Sequence, residues 1–155
     1  MMDLVVYYTR TENTKKVAEC IKDELEADIL EVKDKKNRSG PIQFLIGGFD
    51  ALRGNDTTIS YDAVDLKQYD TVYIGTPVWA SRPAPAIVKF INENDFAGVN
   101  CVTFATMGGT GGESTTNVMN YAIISQGGSV DRSFSIAIKK DSDIEALTKE
   151  ALENQ

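Results

Sequence analysis

Residues 4–21 read LVVYYTRTENTKKVAECI, and they contain the change of pattern that decides the fold. The first five residues form an unbroken apolar run of β-prone side chains, which is typical of a strand covered on both faces. From Asn13 the apolar residues recur every four positions, at Val17, Ile21 and Leu25, which indicates an amphipathic helix. A buried strand that leads directly into a helix predicts a parallel sheet with helices packed on its faces.

The same alternation of strand and helix continues to the end of the chain. Further strands are predicted at residues 29–32, 71–75, 99–105 and 130–138, and further helices at residues 41–53, 86–91, 118–123 and 144–152. The last strand alternates apolar and polar residues, so we expect it at a half-exposed edge. We therefore predict one α/β domain over residues 1–155, with a five-stranded parallel sheet between two helix layers and right-handed crossovers.

The composition of the chain excludes several classes of function. Lys and Arg number 16 and Asp and Glu 23, which gives a net charge of −7 and argues against nucleic acid and against an anionic membrane as partners. The sequence has no histidine and only two cysteines, so His-dependent catalysis and Cys or His metal cages are excluded. Any redox chemistry must then come from a bound cofactor. The chain shows no leader pattern, and we expect a cytoplasmic protein with Cys20 and Cys101 reduced.

Three polar or glycine-rich segments follow the first, third and fourth predicted strands. The carboxyl ends of parallel strands meet at one edge of a sheet, where ligands bind in open α/β folds. The first segment runs through Thr9, Arg10, Thr11, Glu12, Asn13 and Thr14. Its hydroxyls, its amide and the N-terminus of the following helix suit an anion such as phosphate, although Thr and Asn also serve as ordinary helix caps. The glycine patterns of phosphate-binding P-loops and of dinucleotide folds are absent.

The second and third segments suit a planar ring. The second contains Thr76, Pro77, Val78, Trp79 and Ala80 and leads to Pro83; we expect Trp79 to lie in this rigid loop rather than in the core and to offer a flat aromatic face. The third contains Thr106, Met107, Gly108, Gly109, Thr110 and Gly111. Its glycines let the backbone approach a ligand, although a glycine run is also typical of a plain turn.

With these three segments the chain resembles the flavodoxin family over nearly its whole length. The family's phosphate loop reads [T/S]-x-T-G-N-T, which residues 9–14 match except at Glu12, where the family usually has glycine. The resemblance implies a flavodoxin-like three-layer sandwich with strand order 2-1-3-4-5 and FMN as the cofactor at the switch point of the sheet. It also implies that residues 9–14 hold the phosphate, residues 76–80 contact the flavin ring, and residues 106–111 contact its pyrimidine end. The Glu12 side chain is expected to point away from the phosphate.

Two functions from different classes follow from this resemblance. The first is a low-potential electron carrier between redox partner proteins, which the acidic charge and the short chain favour. The second is an FMN-dependent oxidoreductase that reduces a quinone or a similar small acceptor with NAD(P)H. The second is favoured by a third segment without an aromatic residue and by Ala80 at a position where many carriers have glycine; Arg10 and Arg82 could steer an anionic substrate. A domain that has lost FMN and binds only protein ranks third.

Overall fold

The computed structural model describes residues 2–35 and 58–154. The helix predicted over residues 41–53 lies outside these residues, as do its apolar candidates for a rim beside the cofactor, Phe44 and Phe49. All structural statements below concern the described part of the chain.

The strands are, in chain order, β1 (Leu4–Tyr7), β2 (Asp28–Glu31), β3 (Lys33–Asp34), β4 (Ile59–Ser60), β5 (Val72–Trp79), β6 (Arg82–Pro83), β7 (Asn100–Met107) and β8 (Ser129–Ala137). Five of them form a parallel sheet in the order β2-β1-β5-β7-β8. The predicted fold class and strand order are therefore confirmed. So is the edge position of the last strand, since β8 ends the sheet and alternates exposed with half-buried residues.

Two short pairings add to the predicted sheet. Strands β3 and β4 pair antiparallel to each other, and β6 pairs antiparallel with the end of β5. Each of these additional strands has only two residues, which is too short for a hydrophobic period to appear in the sequence. The pairing of β6 with β5 matters for the site, because it turns part of a predicted loop into a hairpin.

The helices of the described residues are α1 (Asn13–Leu25), α2 (Pro85–Glu93), α3 (Gly112–Ser125) and α4 (Ile144–Glu153). Proline stands at the start of α2, and the Asp143 side chain caps α4 by accepting a hydrogen bond from the Ala146 N–H at 3.1 Å. Helix α3 begins six residues before the predicted stretch because its first turns contain Gly, Ser and Thr and show no apolar period. No helix of residues 2–35 and 58–154 has the length and apolar character that a membrane crossing requires.

Each face of the sheet carries a separate hydrophobic core. Helices α2 and α3 cover one face around Phe90, Phe96 and Met119, which are fully buried. Helices α1 and α4 cover the other face, where Ile21 and Phe104 are fully buried. The two layers of helices leave the carboxyl edge of the central strands as the place where loops from different strands can meet.

The two cysteines are both free, as expected for reduced thiols. Cys101 lies fully buried in β7. Cys20 is half-buried, and its thiol lies near the Thr148 hydroxyl on α4, so it faces the neighbouring helix more than the sheet.

Candidate functional site

The three predicted segments meet at the carboxyl edge of β1, β5 and β7 and enclose a cavity of about 190 Å³. The residues that line it are Arg10, Thr11, Asn13, Thr14, Pro77, Val78, Trp79, Thr106, Met107 and Gly108. Every one of these belongs to the set predicted to bind the cofactor. Strand order explains the meeting, because β1, β5 and β7 are neighbours and their following segments leave the sheet at the same end.

The first segment places the N-terminus of α1 at the cavity. Glu12 is the residue before the helix, and its φ of 72° lies in the left-handed region that glycine prefers. Its side chain makes no cap to the helix; its carboxylate lies 3.6 Å from the Lys15 Nζ, and 58% of the side chain is exposed. The carboxylate therefore points to solvent, as expected. The N–H groups of the first turn, which have no partner within a helix, stay available to an anion.

A buried pair of hydroxyls joins the first segment to the third. The Thr14 Oγ1 and the Thr106 Oγ1 are 2.8 Å apart, and both residues are almost completely buried although they are 92 positions apart in the chain. Only one of the two hydroxyl protons is used in the bond between them, so the other remains for a third group. The Thr9 Oγ1 of the first segment is buried and has no hydrogen-bond partner among the described residues. Such a group normally has one, which indicates room for a ligand that accepts a hydrogen bond.

The second segment is a hairpin rather than a loop, which corrects the prediction. Strand β5 continues to Trp79, and residues Val78 and Trp79 pair with Pro83 and Arg82 of β6. The two residues of the turn, Ala80 and Ser81, have φ values of 52° and 62°. Both central residues of a type I′ turn have positive φ, which is why glycine and asparagine are preferred there. Ala80 and Ser81 are neither glycine nor asparagine, so the backbone of this turn is strained.

Thr76 holds the base of this hairpin and is fully buried. Its hydroxyl accepts a hydrogen bond from the Ala84 N–H at 3.0 Å and donates one to the Pro77 carbonyl at 3.0 Å. Its role in the structure is thus to connect the two arms of the hairpin, eight residues apart in the chain.

The expectation that Trp79 lies in a loop outside the core is wrong. Trp79 is the last residue of β5, is only 3% exposed, and packs in an edge-to-face contact with Tyr8 at a centroid distance of 5.6 Å. The ring therefore forms part of the wall of the cavity while most of its surface is covered. The sequence gives no sign of this contact, because Tyr8 lies 71 residues before Trp79 in the chain.

The third segment brings the N-terminus of α3 against the hairpin. Gly111 precedes the helix with a φ of 97°, and a Cβ at this position would lie 2.9 Å from the Val78 Cγ1 and 3.1 Å from the Ser81 Oγ. Only glycine permits both this φ and this close approach. Ser81, which is not among the predicted site residues, thus packs against the residue that begins α3. The residues Gly108, Gly109 and Thr110 are exposed.

The remaining predicted residues belong to the same three segments but do not line the cavity. They are Thr9, Glu12, Thr76, Ala80, Gly109, Thr110 and Gly111. Contact with a cofactor stays a prediction for these residues and for those that line the cavity. Among the described residues that line the cavity, Arg10 is the one that carries a charge, so this part of the wall is positive in a chain whose net charge is −7.

Comparison with known proteins identifies the family. A family model described as flavodoxin matches residues 52–130, which is more than half of the chain. This chain belongs to the flavodoxin family. Comparison with curated protein sequences gives no significant match.

Solved structures of flavodoxins and other flavoproteins are similar over almost the full length of the chain. A flavoprotein from Lactobacillus acidophilus NCFM in complex with FMN is 25% identical, with a TM-score of 0.76 over 95% of this chain and 98% of that one. A putative flavoprotein from Bacteroides uniformis is 21% identical, with a TM-score of 0.78 over 98% of each chain. A Megasphaera elsdenii flavodoxin is 18% identical, with a TM-score of 0.56 over 97% of this chain and 98% of that one. The chain therefore has the fold of the FMN-binding flavoproteins.

Proposed function

We propose that this flavodoxin-family protein binds FMN in the cavity at the ends of β1, β5 and β7 and acts as a low-potential electron carrier between redox proteins. The observation that carries the proposal is the meeting of three distant segments around one cavity, each with the chemistry of a different part of a mononucleotide. Family membership and the FMN-bound relative both support FMN as the cofactor.

The phosphate end of FMN fits the first segment. The N-terminus of α1, the Asn13 amide and the threonine hydroxyls offer hydrogen-bond donors, and Arg10 adds a positive charge. The buried Thr9 hydroxyl, which has no partner within the described residues, would gain an acceptor. When bound, FMN supplies the electron transfer, while the protein supplies binding, orientation and the electrostatic environment.

The size of the cavity favours a cofactor that is only partly enclosed. Its volume of about 190 Å³ is below the roughly 300–1,000 Å³ of cavities that bury whole ligands. Part of a bound mononucleotide would then remain at the protein surface, beside the exposed residues 108–110. An accessible cofactor edge is what electron transfer to a docked protein requires.

The chemistry of the cavity wall favours a carrier over an enzyme. Among the residues described, those that line the cavity include no carboxylate, thiol, lysine or tyrosine that could donate or accept a proton. A carrier exchanges electrons with its partners and needs no such group for a substrate. The net charge of −7 would favour docking to basic surfaces of partner proteins.

One observation favours a second function, an FMN-dependent reductase that uses NAD(P)H. A Cβ at Gly108 or Gly109 would meet nothing within 4 Å, so the third segment presents a small, open surface beside the cavity. A nicotinamide ring could stack on a flavin that is open on this side. Arg10 at the cavity could then attract an anionic substrate.

The two functions are separated by an anaerobic visible spectrum of FMN-loaded protein before and after the addition of NADPH. For the carrier we expect the flavin band to remain unchanged with NADPH and to bleach only with a chemical reductant. Bleaching within seconds of adding NADPH would contradict the carrier function and support the reductase. Free FMN at the same concentration serves as the control for non-enzymatic reduction.

A further inference from the structure

Strand β8 leaves one long edge uncovered in the described part of the sheet. It has nine residues, pairs with β7 on one side, and has no strand on its other side within residues 2–35 and 58–154. The N–H and C=O groups on the open side of an edge strand can pair with a strand of another chain. Natural proteins usually protect such an edge with proline, lysine or an irregularity in the strand.

The protection of β8 is confined to its beginning. The pairing with β7 is irregular at Asp131, where the register shifts between Cys101 and Val102. Arg132 is also removed from the edge, because its guanidinium donates hydrogen bonds to the carbonyls of Ala151, Leu152 and Asn154 at the end of α4. From residue 133 to residue 137 the strand reads SFSIA, with regular pairing, no charge and no proline.

The surroundings of this uncharged stretch are open and partly apolar. An open groove of about 440 Å³ runs beside all five residues from 133 to 137 and reaches Leu147, Glu150 and Ala151 of α4 and Asn154 just after it. On the other face of the sheet, Asn120 of α3 donates a hydrogen bond to the Ser133 Oγ. Ile124 lies one helical turn beyond Asn120 and so on the same side of α3, toward the edge, and it is 59% exposed.

The stretch is self-complementary in an antiparallel arrangement. If Ser135 of one strand faces Ser135 of a second, then Phe134 faces Ile136 and Ser133 faces Ala137, in both directions. Just beyond the regular stretch, Asp131 of one chain comes beside Lys139 of the other, and this happens twice because of the two-fold symmetry.

We infer that this edge is a homodimer interface, in which β8 strands of two copies pair antiparallel about Ser135 and join the two sheets into one. The opposite charges of Asp131 and Lys139 select the register, and the uncharged stretch between them lets two acidic chains approach. The interface consists of one strand from each copy and its flanks, so the dimer forms in a concentration-dependent way. This inference does not depend on the proposed cofactor.

The test is a charge exchange across the proposed interface. Asp131 and Lys139 are both exposed, so the variants D131K and K139D are expected to fold, which circular dichroism checks. Sedimentation of each protein over micromolar to millimolar concentrations gives its dimerisation constant. We expect each single variant to dimerise about tenfold more weakly, since two symmetric pairs change from attraction to repulsion, and the double variant to recover most of the loss.

The two single variants distinguish the effect of the Asp131–Lys139 pair from the effect of the net charge of the chain. D131K changes the net charge from −7 to −5 (−7 + 2), and K139D changes it to −9 (−7 − 2), yet both are expected to weaken the dimer. In the wild-type dimer, the amides of residues 133–137 are expected to exchange more slowly with solvent than at a concentration where the protein is monomeric. A wild-type protein that is monomeric throughout overturns the inference, and so does a dimer that the charge exchange leaves unchanged.

Discussion

Glu12 combines two unfavourable features at one position, a strained backbone and a negative charge on the residue that precedes the helix proposed to hold the phosphate. A non-glycine residue in the left-handed region costs roughly 1–2 kcal/mol, and glycine removes this cost. Glycine also makes the unfolded chain more flexible, which lowers the free energy of unfolding by about 0.4–1 kcal/mol. The ion pair with Lys15, at 3.6 Å and largely exposed, contributes about 0–1 kcal/mol. The free energy of unfolding of the Glu12→Gly variant without FMN should therefore lie within about 1 kcal/mol of the wild type.

The affinity for FMN should change more than the stability. Removal of the carboxylate ends its repulsion of the phosphate, which at the solvent-exposed mouth of the site is worth about 1 kcal/mol, or roughly fivefold in the dissociation constant. The matched control is Glu12→Gln, which removes the charge but keeps the strained backbone. Both variants should bind FMN more tightly by a similar factor in a titration of flavin fluorescence. Riboflavin, which lacks the phosphate, should show no such gain.

The comparison of the two variants has a clear refuting result. If Glu12→Gln binds FMN no more tightly than the wild type, repulsion by the carboxylate is not what limits the affinity. If only Glu12→Gly binds more tightly, relief of backbone strain in the phosphate loop accounts for the gain, and the electrostatic reasoning fails.

Three further substitutions test the packing and the site. Gly75→Ala would drive its Cβ into the Phe104 ring and should lower the free energy of unfolding, measured in urea, by about 3 kcal/mol or more. The loss should be smaller in the Phe104→Leu background, and an unchanged stability would contradict this packing. Thr106→Val removes one partner of the 2.8 Å bond to Thr14 and should cost about 1–3 kcal/mol, whereas a neutral result would show that the bond contributes nothing. Burial raises the pKa of the Cys101 thiol from 9.0 to about 12, so the folded state keeps a proton that the unfolded chain releases. The contribution of this thiol to the free energy of unfolding is fully present below about pH 9 and falls by up to about 1.4 kcal/mol per pH unit as the pH rises toward 12. The Cys101→Ala variant should show a smaller decrease of stability with pH when it is unfolded in urea at alkaline pH.

The apolar runs in the sequence predict most of the fold because strands buried on both faces must be continuously apolar. The strand that begins at Leu4 is of this kind, and the strand that contains Cys101 is mostly apolar although it buries Thr103 and Thr106; both occur where expected. The end of β5 was not predictable in this way, because Thr76 and Pro77 interrupt the apolar run. There the chain continues as a strand because it pairs with β6 and because the Thr76 hydroxyl accepts a hydrogen bond from the Ala84 N–H. Both contacts are made with residues further along the chain, so the local sequence does not reveal them.

The candidate site was predictable in its composition but not in its geometry. The segments after three neighbouring strands had to meet once the strand order was known, and the residues that line the cavity all came from them. The burial of Trp79 depends on Tyr8, which follows another strand, so a local interpretation of the sequence placed the ring in a loop. The positive φ values of Ala80 and Ser81 also escaped prediction, since neither residue type favours them.

The most direct test of the FMN site is a titration of isotopically labelled apoprotein with FMN, followed by NMR of the backbone amides. The account predicts binding of one FMN per chain, with the largest shifts confined to residues 9–14, 78–81 and 106–112. Riboflavin should reproduce the shifts in the second and third segments but not those in the first. Absence of binding, or shifts centred outside these three segments, would contradict the central claim.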